Sequence, residues 1–212
     1  MIVKLIRYTP APEELTGRAA AKCYNGKNPQ RSLETAMEGG HESVLEHASF
    51  TFEVDGVSRV LLAQITRHRL ASFSVQSQRY CGADPYTITP PSMCRADLVD
   101  DILTVKKAVQ DLYTKAIALG VPAEDARYYT LQAGITGFVV TMNARELRHF
   151  FSLRCCNRAQ WEIRELADKM LALCRDAAPA LFADAGPGCV RGACPEGKKC
   201  CGHPRKELIR RE

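Results

Sequence analysis

The segment Arg67-His68-Arg69-Leu70-Ala71-Ser72-Phe73-Ser74-Val75-Gln76-Ser77-Gln78-Arg79-Tyr80 is the most informative part of this sequence. Its fourteen residues include three arginines, one histidine and three serines, and they contain no acidic residue and no glycine. Residues 60–65, which precede it, are mainly apolar and are expected to be buried. Converging arginine and hydroxyl donors are typical of a site for phosphate or another planar anion. The alternative is a solvated basic loop.

Length and composition favour one soluble globular domain. The chain has 212 residues, of which 46% are hydrophobic and 25% are charged. No run approaches the roughly 20 apolar residues that span a bilayer, and residues 1–8 resemble a strand rather than a signal peptide. We therefore expect a cytoplasmic protein. The net charge of +5 suits phosphorylated small molecules as well as nucleic acid.

The pattern of apolar residues predicts an α+β domain in which strands and helices are interspersed. Pro85, Pro90 and Pro91 indicate a loop-rich section, and no GxGxxG motif opens a helix, so a Rossmann dinucleotide site is not supported. Strands are predicted at residues 1–8, 48–54 and 137–142. Helices are predicted at residues 13–24, 32–38, 58–66, 96–119, 123–127, 143–153, 160–175 and 179–183.

The spacing of the basic segment resembles a signature of the flavin-dependent thymidylate synthases. That signature is Arg-His-Arg, seven residues, Ser, one residue and Arg, which this chain matches from Arg67 to Arg79. Residues 41–47, HESVLEH, resemble an upstream motif of the family. Residues 143–145, 153–154 and 159–162 resemble its downstream motif. The resemblance covers residues 1–184 and leaves the C-terminal tail outside it.

The resemblance implies a fold, a reaction and an assembly. The fold would be an α+β domain with an antiparallel or mixed central sheet flanked by helices, forming a single catalytic domain at residues 1–185. The reaction would be reductive methylation of dUMP to dTMP without a protein nucleophile. Methylenetetrahydrofolate would give the carbon, NADPH would be the reductant, and FAD would carry the hydride. The enzyme would be a homotetramer with active sites between subunits, without a nucleic-acid or membrane partner.

The resemblance also implies roles for individual residues. Arg154 would be catalytic, because it would hold the uracil and stabilise the negative charge that develops on it. The residues implied for binding the cofactor are His41, Ser43, Arg67, His68, Arg69, Asn143, Arg145 and His149. The residues implied for binding the substrate are Gln64, Arg67, Gln76, Ser77, Gln78, Arg79, Arg127 and Arg154.

Several of these residues also have purely structural interpretations. Asn143 is a plausible helix cap, and Arg154 could simply favour the dipole at the C-terminal end of a helix. Arg127 could form an ion pair with Glu124 or Asp125 within one helix. One position departs from the family pattern, because Val75 stands where many members carry Glu or Gln.

The chemistry of His68 and Ser77 narrows the roles that are expected of them. The two arginines that flank His68 are expected to lower its pKa, so that its ring is neutral near pH 7. Ser77 has no neighbouring base and is expected to bind phosphate rather than to act as a nucleophile. Arg158 stands where some relatives have His, and it is given no role.

Ten cysteines are present, and four of them lie in the Cys/Gly-rich tail at residues 186–212. Their spacings are Cys-x4-Cys and Cys-x5-Cys, unlike the CxxC pairs of zinc ribbons. We expect free thiols and no metal there, although zinc is the alternative, and the tail is expected to be dispensable for the chemistry. Residues 41–47 lack HExxH spacing, so no metal is expected there either.

A nucleic-acid-binding module is the rival interpretation. The basic segment would then contact phosphates, the tail would form a zinc knuckle, and Phe50 and Phe52 would stack on bases. The unsuitable tail spacing and the absence of a long basic stripe argue against it.

Overall fold

A four-stranded antiparallel sheet forms the centre of the part of the chain that the structure describes. The structure is a computed structural model that describes residues 1–82 and 86–208, so Pro85 lies outside the described residues. The strand order is β1-β2-β4-β3, and the non-sequential pairing and antiparallel sheet agree with the expected α+β fold. The strands are β1 (Ile2–Tyr8), β2 (Ser49–Ser58), β3 (Ala71–Val75) and β4 (Ile135–Asn143).

Helices follow most of the predicted segments, with shifted ends. The helix predicted at residues 32–38 begins earlier, because the side chain of Asn28 caps it by accepting from the backbone N–H of Arg31. A 3-10 helix at Glu42–His47 precedes β2. The α-helices are α1 (Pro12–Tyr24), α2 (Pro29–Glu38), α3 (Arg59–Ile65), α4 (Val99–Ala118), α5 (Ala123–Ala126), α6 (Ala144–Arg154), α7 (Trp161–Ala177) and α8 (Pro179–Phe182).

The core lies between the sheet and the helices that follow β4. Phe50 and Phe52 on β2 are fully buried, because alternate residues of the strand point towards the helices. The ring of Phe182 packs edge-on against Phe50, with 5.3 Å between ring centroids, and it also contacts Phe151 of α6. Aromatic side chains bury large apolar areas. This cluster therefore fixes α6 and α8 against the sheet, and α6 carries much of the site described below.

Strand β2 is longer than the sequence predicted. The sequence predicts a strand that ends at residue 54, before Asp55-Gly56, but the strand continues to Ser58, with an irregular register between Val54 and Val57. Gly56 has a φ of 70°, which a residue with a Cβ rarely adopts. The pair therefore forms a bulge within the strand, which carries the chain on to the start of α3.

The basic segment contains a strand that the sequence analysis missed. Residues Ala71 to Val75 form β3 and pair with β4 from Met142 to Phe138. Apolar and serine side chains alternate along it, and the serines are exposed. Strand β3 therefore lies at one edge of the sheet, with the first three residues of the signature before it and Ser77 and Arg79 after it.

Helix α4 is weakly attached to the rest of this chain. It is 20 residues long, yet Tyr113 is its only buried residue within the described structure. Leu103, Val105 and Leu112 are large apolar side chains that remain exposed on it. Most of its contacts are with α5 and neighbouring 3-10 turns. Exposed apolar side chains on a weakly attached helix are typical of a surface that binds another protein chain.

The C-terminal tail folds back onto the loop between α6 and α7. The guanidinium of Arg205 donates to the carboxylate of Asp168 at 2.9 Å and to the carbonyl oxygen of Cys155 at 3.0 Å. The side chain of Arg158 donates to the carbonyl oxygen of Lys199 at 2.8 Å. These contacts join the tail to the helical layer, while its division from residues 1–185 as a separate segment stays a prediction.

A buried carboxyl group joins the beginning of α7 to the beginning of α3. The side chain of Glu162 accepts hydrogen bonds from both the backbone N–H, at 2.7 Å, and the hydroxyl of Ser58. The same hydroxyl oxygen accepts from the backbone N–H of Leu61 and caps α3. This link gives the downstream signature residue Glu162 a structural purpose, because it fixes the helix that leads into the basic segment.

We predict that Glu162→Ala lowers the free energy of unfolding by about 1–3 kcal/mol, because it leaves buried donors of Ser58 without an acceptor. Glu162→Gln keeps one acceptor oxygen and should cost less. Glu165→Ala, which removes an exposed ion pair with Lys169 on the same helix, is the control and should cost less than about 1 kcal/mol. Chemical denaturation measures all three, and equal losses for Glu162→Ala and Glu165→Ala would contradict the role of the buried link.

Candidate active site

The first part of the signature forms the turn between α3 and β3. Arg67 and Arg69 are exposed, whereas only 5% of the surface of His68 is accessible. The ring of His68 packs edge-on against Phe150 of α6, with 5.0 Å between ring centroids. The turn thus presents two arginines to solvent and inserts the histidine between them into the core.

Both ring nitrogens of His68 have protein partners. Its Nδ1 lies 2.9 Å from a carboxyl oxygen of Glu146, and Nε–H of Arg154 donates to its Nε2 at 3.1 Å. An arginine can only donate, so Nε2 must accept and the proton must lie on Nδ1. A further Arg154 nitrogen, Nη2, donates to the backbone carbonyl of Gln64 at 3.5 Å. The contacts define a Glu146–His68–Arg154 chain.

Burial is the main cause that lowers the pKa of His68, and the nearby Arg154 and His149 lower it further. Hydrogen bonding and charge attraction from Glu146 oppose this effect. The direction agrees with the expectation from the sequence, but the cause differs, because the expectation invoked the adjacent arginines. Burial, followed by the charge of Arg67, also lowers the pKa of Arg154. The geometry and both pKa directions are consistent with a neutral His68.

Helix α6 carries further residues of the predicted cofactor set. The side chain of Asn143 accepts from the backbone N–H of Glu146, which confirms that Asn143 caps the helix. Arg145 and His149 are exposed and lie four residues apart, so they share one face of α6. The rings of His149 and His68 are 6.0 Å apart. The fold therefore brings α6 and the arginine-rich turn together.

Ion pairs hold the segment containing His41 and Ser43 beside the same helix. The buried guanidinium of Arg148 donates to a carboxyl oxygen of Glu42 at 3.0 Å and also contacts Asp184 at 2.7 Å. Arg145 pairs with Glu46. His41 and Ser43 are both exposed. The predicted cofactor residues from three parts of the sequence thus surround α6, and we name them, with Gln64 and Arg154, the α6 cluster.

The second part of the signature lies at the other end of β3. The hydroxyl of Ser77 accepts from the backbone N–H of Arg79 at 3.2 Å, and the side chain of Arg79 pairs with Glu124 at 2.7 Å. Arg127 donates to the backbone carbonyl of Glu124 at 3.1 Å. We name this group the Ser77–Arg79 cluster; it also contains Gln76 and Gln78, which flank Ser77.

The two clusters do not meet within one chain. A five-residue strand spans about 17 Å, and β3 separates the arginine-rich turn from Ser77 by this length. Val75, the position that departs from the family pattern, ends the strand and pairs with Phe138. One chain therefore offers two sets of donors rather than a single closed pocket.

The structure bears on some of the alternatives left open by the sequence. Arg154 is the last residue of α6, where its charge suits the helix dipole, and its guanidinium also donates to His68 and to the carbonyl of Gln64. Arg127 contacts the carbonyl oxygen of Glu124, while the Glu124 carboxylate pairs with Arg79. The expected ion pair within one helix is therefore absent from the described contacts.

Three acidic residues that contact the site were not among the site residues predicted from the sequence. Glu146, Glu124 and Glu42 each contact a basic or histidine side chain of the two clusters or their support. Glu146 is 78 residues from His68 in the sequence, so no local pattern indicates the pairing. The sequence offered one indication, which is that Glu146 lies in the first turn of the helix that the motif residue Asn143 caps.

Residues 1–82 and 86–208 contain no group of three or more His, Cys, Asp or Glu side chains arranged to hold a metal ion. All ten cysteines lie in these ranges and are free thiols. No described helix is long and apolar enough to cross a membrane.

Comparison with known proteins relates these clusters to a family. The family model described as thymidylate synthase complementing protein matches residues 4–180. The flavin-dependent thymidylate synthase of Geobacter sulfurreducens is 45% identical, with 95% of this chain and 94% of that protein covered. The enzyme of the same name from Pyrococcus furiosus is 43% identical, with 92% of this chain and 89% of that protein covered.

Solved structures share the fold at low sequence identity. A flavin-dependent thymidylate synthase from Helicobacter pylori, complexed with FAD and dUMP, has a TM-score of 0.72 and 24% identity over 88% of this chain and all of that one. A UMP/dUMP methylase from Streptomyces cacaoi, bound with 5-Br dUMP, has a TM-score of 0.74 and 22% identity over 85% of this chain and 92% of that one. The family match, the near-complete coverage by relatives above 40% identity and the shared fold establish that this chain belongs to the flavin-dependent thymidylate synthase family.

Proposed function

We propose that this chain catalyses the reductive methylation of dUMP to dTMP, with methylenetetrahydrofolate as the carbon donor, FAD as the hydride carrier and NADPH as the reductant. The observation that carries the proposal is the arrangement of both halves of the signature around one strand, with Arg154 anchored beside the first half. Family membership and the names of the relatives support the same reaction.

The residues of the α6 cluster fit the chemistry of a flavin dinucleotide. Arg67, Arg69 and Arg145 are exposed cations that suit its pyrophosphate, and exposed His149 offers a further ring donor or acceptor. His41 and Ser43 would contact the cofactor from the 3-10 helix. His68 uses both ring nitrogens on protein partners, so we assign it a supporting part in this set. Asn143 uses its side-chain oxygen to cap α6 and has its amide N–H groups left for the cofactor. Bound FAD would supply the redox chemistry.

We assign Arg154 to the uracil of the substrate. Its Nε and Nη2 contact His68 and the carbonyl of Gln64, and no described acceptor contacts Nη1. That nitrogen can donate to a uracil oxygen, so the guanidinium would stabilise negative charge that develops on the ring. A fixed cation that gains strength as charge develops accelerates the reaction rather than only binding the substrate.

We further propose that the site is completed by another copy of the chain. Ser77, Arg79 and Arg127, with Gln76 and Gln78, would hold the phosphate end of dUMP, yet β3 keeps them away from Arg154 in the same chain. The exposed apolar side chains of α4 offer a surface for association. These observations support a homotetramer with active sites between subunits.

A cytoplasmic location completes the proposal. Ten free thiols suit a reducing compartment, and the reaction uses soluble nucleotide and folate substrates. The rival nucleic-acid module loses support from the buried position of Phe52 and Phe50, because fully buried rings cannot stack on bases.

The purified protein should bind FAD and show a flavin absorbance spectrum. Arg69→Ala should raise the dissociation constant for FAD about tenfold or more, because it removes a charged hydrogen bond contributing roughly 1.5–3 kcal/mol. Arg18→Ala, which removes an exposed arginine of α1, is the control. A protein that takes up no flavin would disprove the proposed function, and an Arg69→Ala protein with parental affinity would disprove only this residue's assignment.

Arg79→Ala should weaken dUMP binding about tenfold or more, because a charged donor to phosphate is lost. Ser77→Ala should have a smaller effect and leave activity, because its hydroxyl is one neutral donor. Isothermal titration with dUMP gives both constants, and Arg95→Ala, which removes an exposed ion pair with Asp97, provides the control. If Ser77→Ala abolished turnover while dUMP still bound normally, Ser77 would have to be reconsidered as a nucleophile.

Arg154→Ala should lower kcat by about 10²–10³, because removal of one preorganised donor in an active site typically has this effect. Arg154→Lys should also be impaired, since it keeps the charge but loses the planar guanidinium. The measurement is single-turnover oxidation of reduced flavin by dUMP and methylenetetrahydrofolate, with flavin content as the internal check. Arg164→Ala, which removes a helix arginine bonded to a backbone carbonyl, should stay near the parental rate. A normal rate with a lowered melting temperature in Arg154→Ala would leave Arg154 as a helix-end residue only.

A further inference from the structure

Glu146 is a buried carboxyl residue that none of the signature motifs explains. It is 6% exposed and lies in the first turn of α6, where its backbone N–H is already capped by Asn143. Its side chain contacts Nδ1 of His68 at 2.9 Å. A buried acid held against one ring nitrogen determines which nitrogen of a histidine carries the proton. The contact with Glu146 therefore determines whether the other nitrogen, Nε2, can accept a hydrogen bond.

The other nitrogen is the partner of Arg154. Only a neutral His68 with its proton on Nδ1 can accept at Nε2 from Nε–H of Arg154. The opposite tautomer, or a protonated ring, would place an N–H against the guanidinium and remove its acceptor. The guanidinium would then be held only by the 3.5 Å contact to the carbonyl of Gln64. The orientation of Arg154 thus depends on the proton position that Glu146 selects.

We propose that Glu146 is a positioning residue for the reaction: by holding His68 as the Nδ1–H tautomer, it orients the guanidinium of Arg154 towards the uracil. The inference rests on the proposed role of Arg154. It assigns His68 to the support of Arg154 instead of a hydrogen bond to the flavin, since both of its ring nitrogens face protein groups. The ring edge of Phe150 packs against the imidazole and restricts its rotation.

The decisive substitution is Glu146→Gln, which preserves size while weakening the selection of tautomer. A glutamine can accept from Nδ1–H through its oxygen, or donate to Nδ1 through its amide and favour the wrong tautomer. Mutation of the hydrogen-bond partners of metal-bound histidines typically changes activity by about 10–100-fold, and the orienting role proposed for Glu146 is of the same kind. We expect kcat to fall by about this amount, with FAD content and dUMP affinity nearly unchanged. Glu53→Gln, which alters an exposed acid paired with Lys4, is the matched control.

A pH profile separates positioning from a structural role. The groups that face His68 are Glu146, Arg154 and His149. Burial and the two basic neighbours lower the pKa of His68, whereas Glu146 raises it. Protonation of His68 at low pH should therefore reduce kcat, and in Glu146→Gln this acid limb should move to lower pH. A carboxyl group that only packed α6 would leave the position of the limb unchanged.

The tautomer itself can be observed without turnover. Nitrogen-15 correlation spectra of histidine-labelled protein distinguish Nδ1–H, Nε2–H and protonated rings, and His68→Gln identifies the His68 signal. The expected result is a neutral Nδ1–H ring in the parent and a mixture in Glu146→Gln. An Nε2–H or protonated His68 in the parent at neutral pH would overturn the proposal, even if the variant failed to fold. A kcat within twofold of the parent in a folded Glu146→Gln protein would overturn it as well.

A double-mutant cycle shows whether Glu146 acts through Arg154. In the Arg154→Ala background, Glu146→Gln should cause no further loss of kcat, because the group that it positions is gone. Additive losses would mean that Glu146 acts elsewhere, and they would reject the inference while leaving the proposed function intact. If Arg154→Ala alone had parental kcat, the role of Arg154 would fail, and the spectra would still report separately on the contact between Glu146 and His68.

Discussion

The pairing of β3 with β4 determines how this chain can build a site. Because β3 is extended and hydrogen-bonded at the sheet edge, it holds Arg69 and Ser77 at its opposite ends. A loop of the same length could have folded its donors around one phosphate, but a paired strand cannot. The signature is therefore divided into two clusters, and this division supports the proposed site between copies of the chain.

Carboxyl groups, of which Glu162 and Glu146 are buried, give the basic side chains around the site their fixed geometry. Glu162 accepts hydrogen bonds from Ser58, the residue that caps α3, and Glu146 fixes the ring of His68. Glu42 and Asp184 both pair with Arg148 of α6. Buried charged groups persist only when their hydrogen bonds are satisfied, since removing one partner leaves an uncompensated charge or donor. Each of these acids contacts a side chain or backbone group of the protein. These contacts fix the orientation of the basic side chains before a substrate binds.

The sequence predicted the helices and the long central strands well, because their apolar periodicity and caps are local. Asn143, for example, caps α6 as expected. Strand β3 was missed although Ala71, Phe73 and Val75 alternate with serines, because its five residues lie inside a segment whose charges suggested a patch. The continuation of β2 through Gly56 was missed because an Asp-Gly pair is compatible both with a bulge within a strand and with a turn that ends one. The role of Glu146 could not be predicted from the sequence, because it depends on a contact with a residue that lies 78 positions away.

The two clusters differ in what their contacts can contribute to the reaction. The phosphate of a nucleotide carries the same charge before and during the reaction, so donors such as Arg79 stabilise the bound ground state and the transition state alike. Such uniform binding affects the substrate concentration that is needed, not the rate of the chemical step. In the proposed function Arg154 would face a group whose charge changes. Burial together with Arg67 already lowers the pKa of Arg154, so an approaching negative charge would relieve an unfavourable field. The residues at one end of β3 would thus bind the substrate, and those at the other end would accelerate the reaction. Turnover would require two copies of the chain, although each copy contains all of these residues.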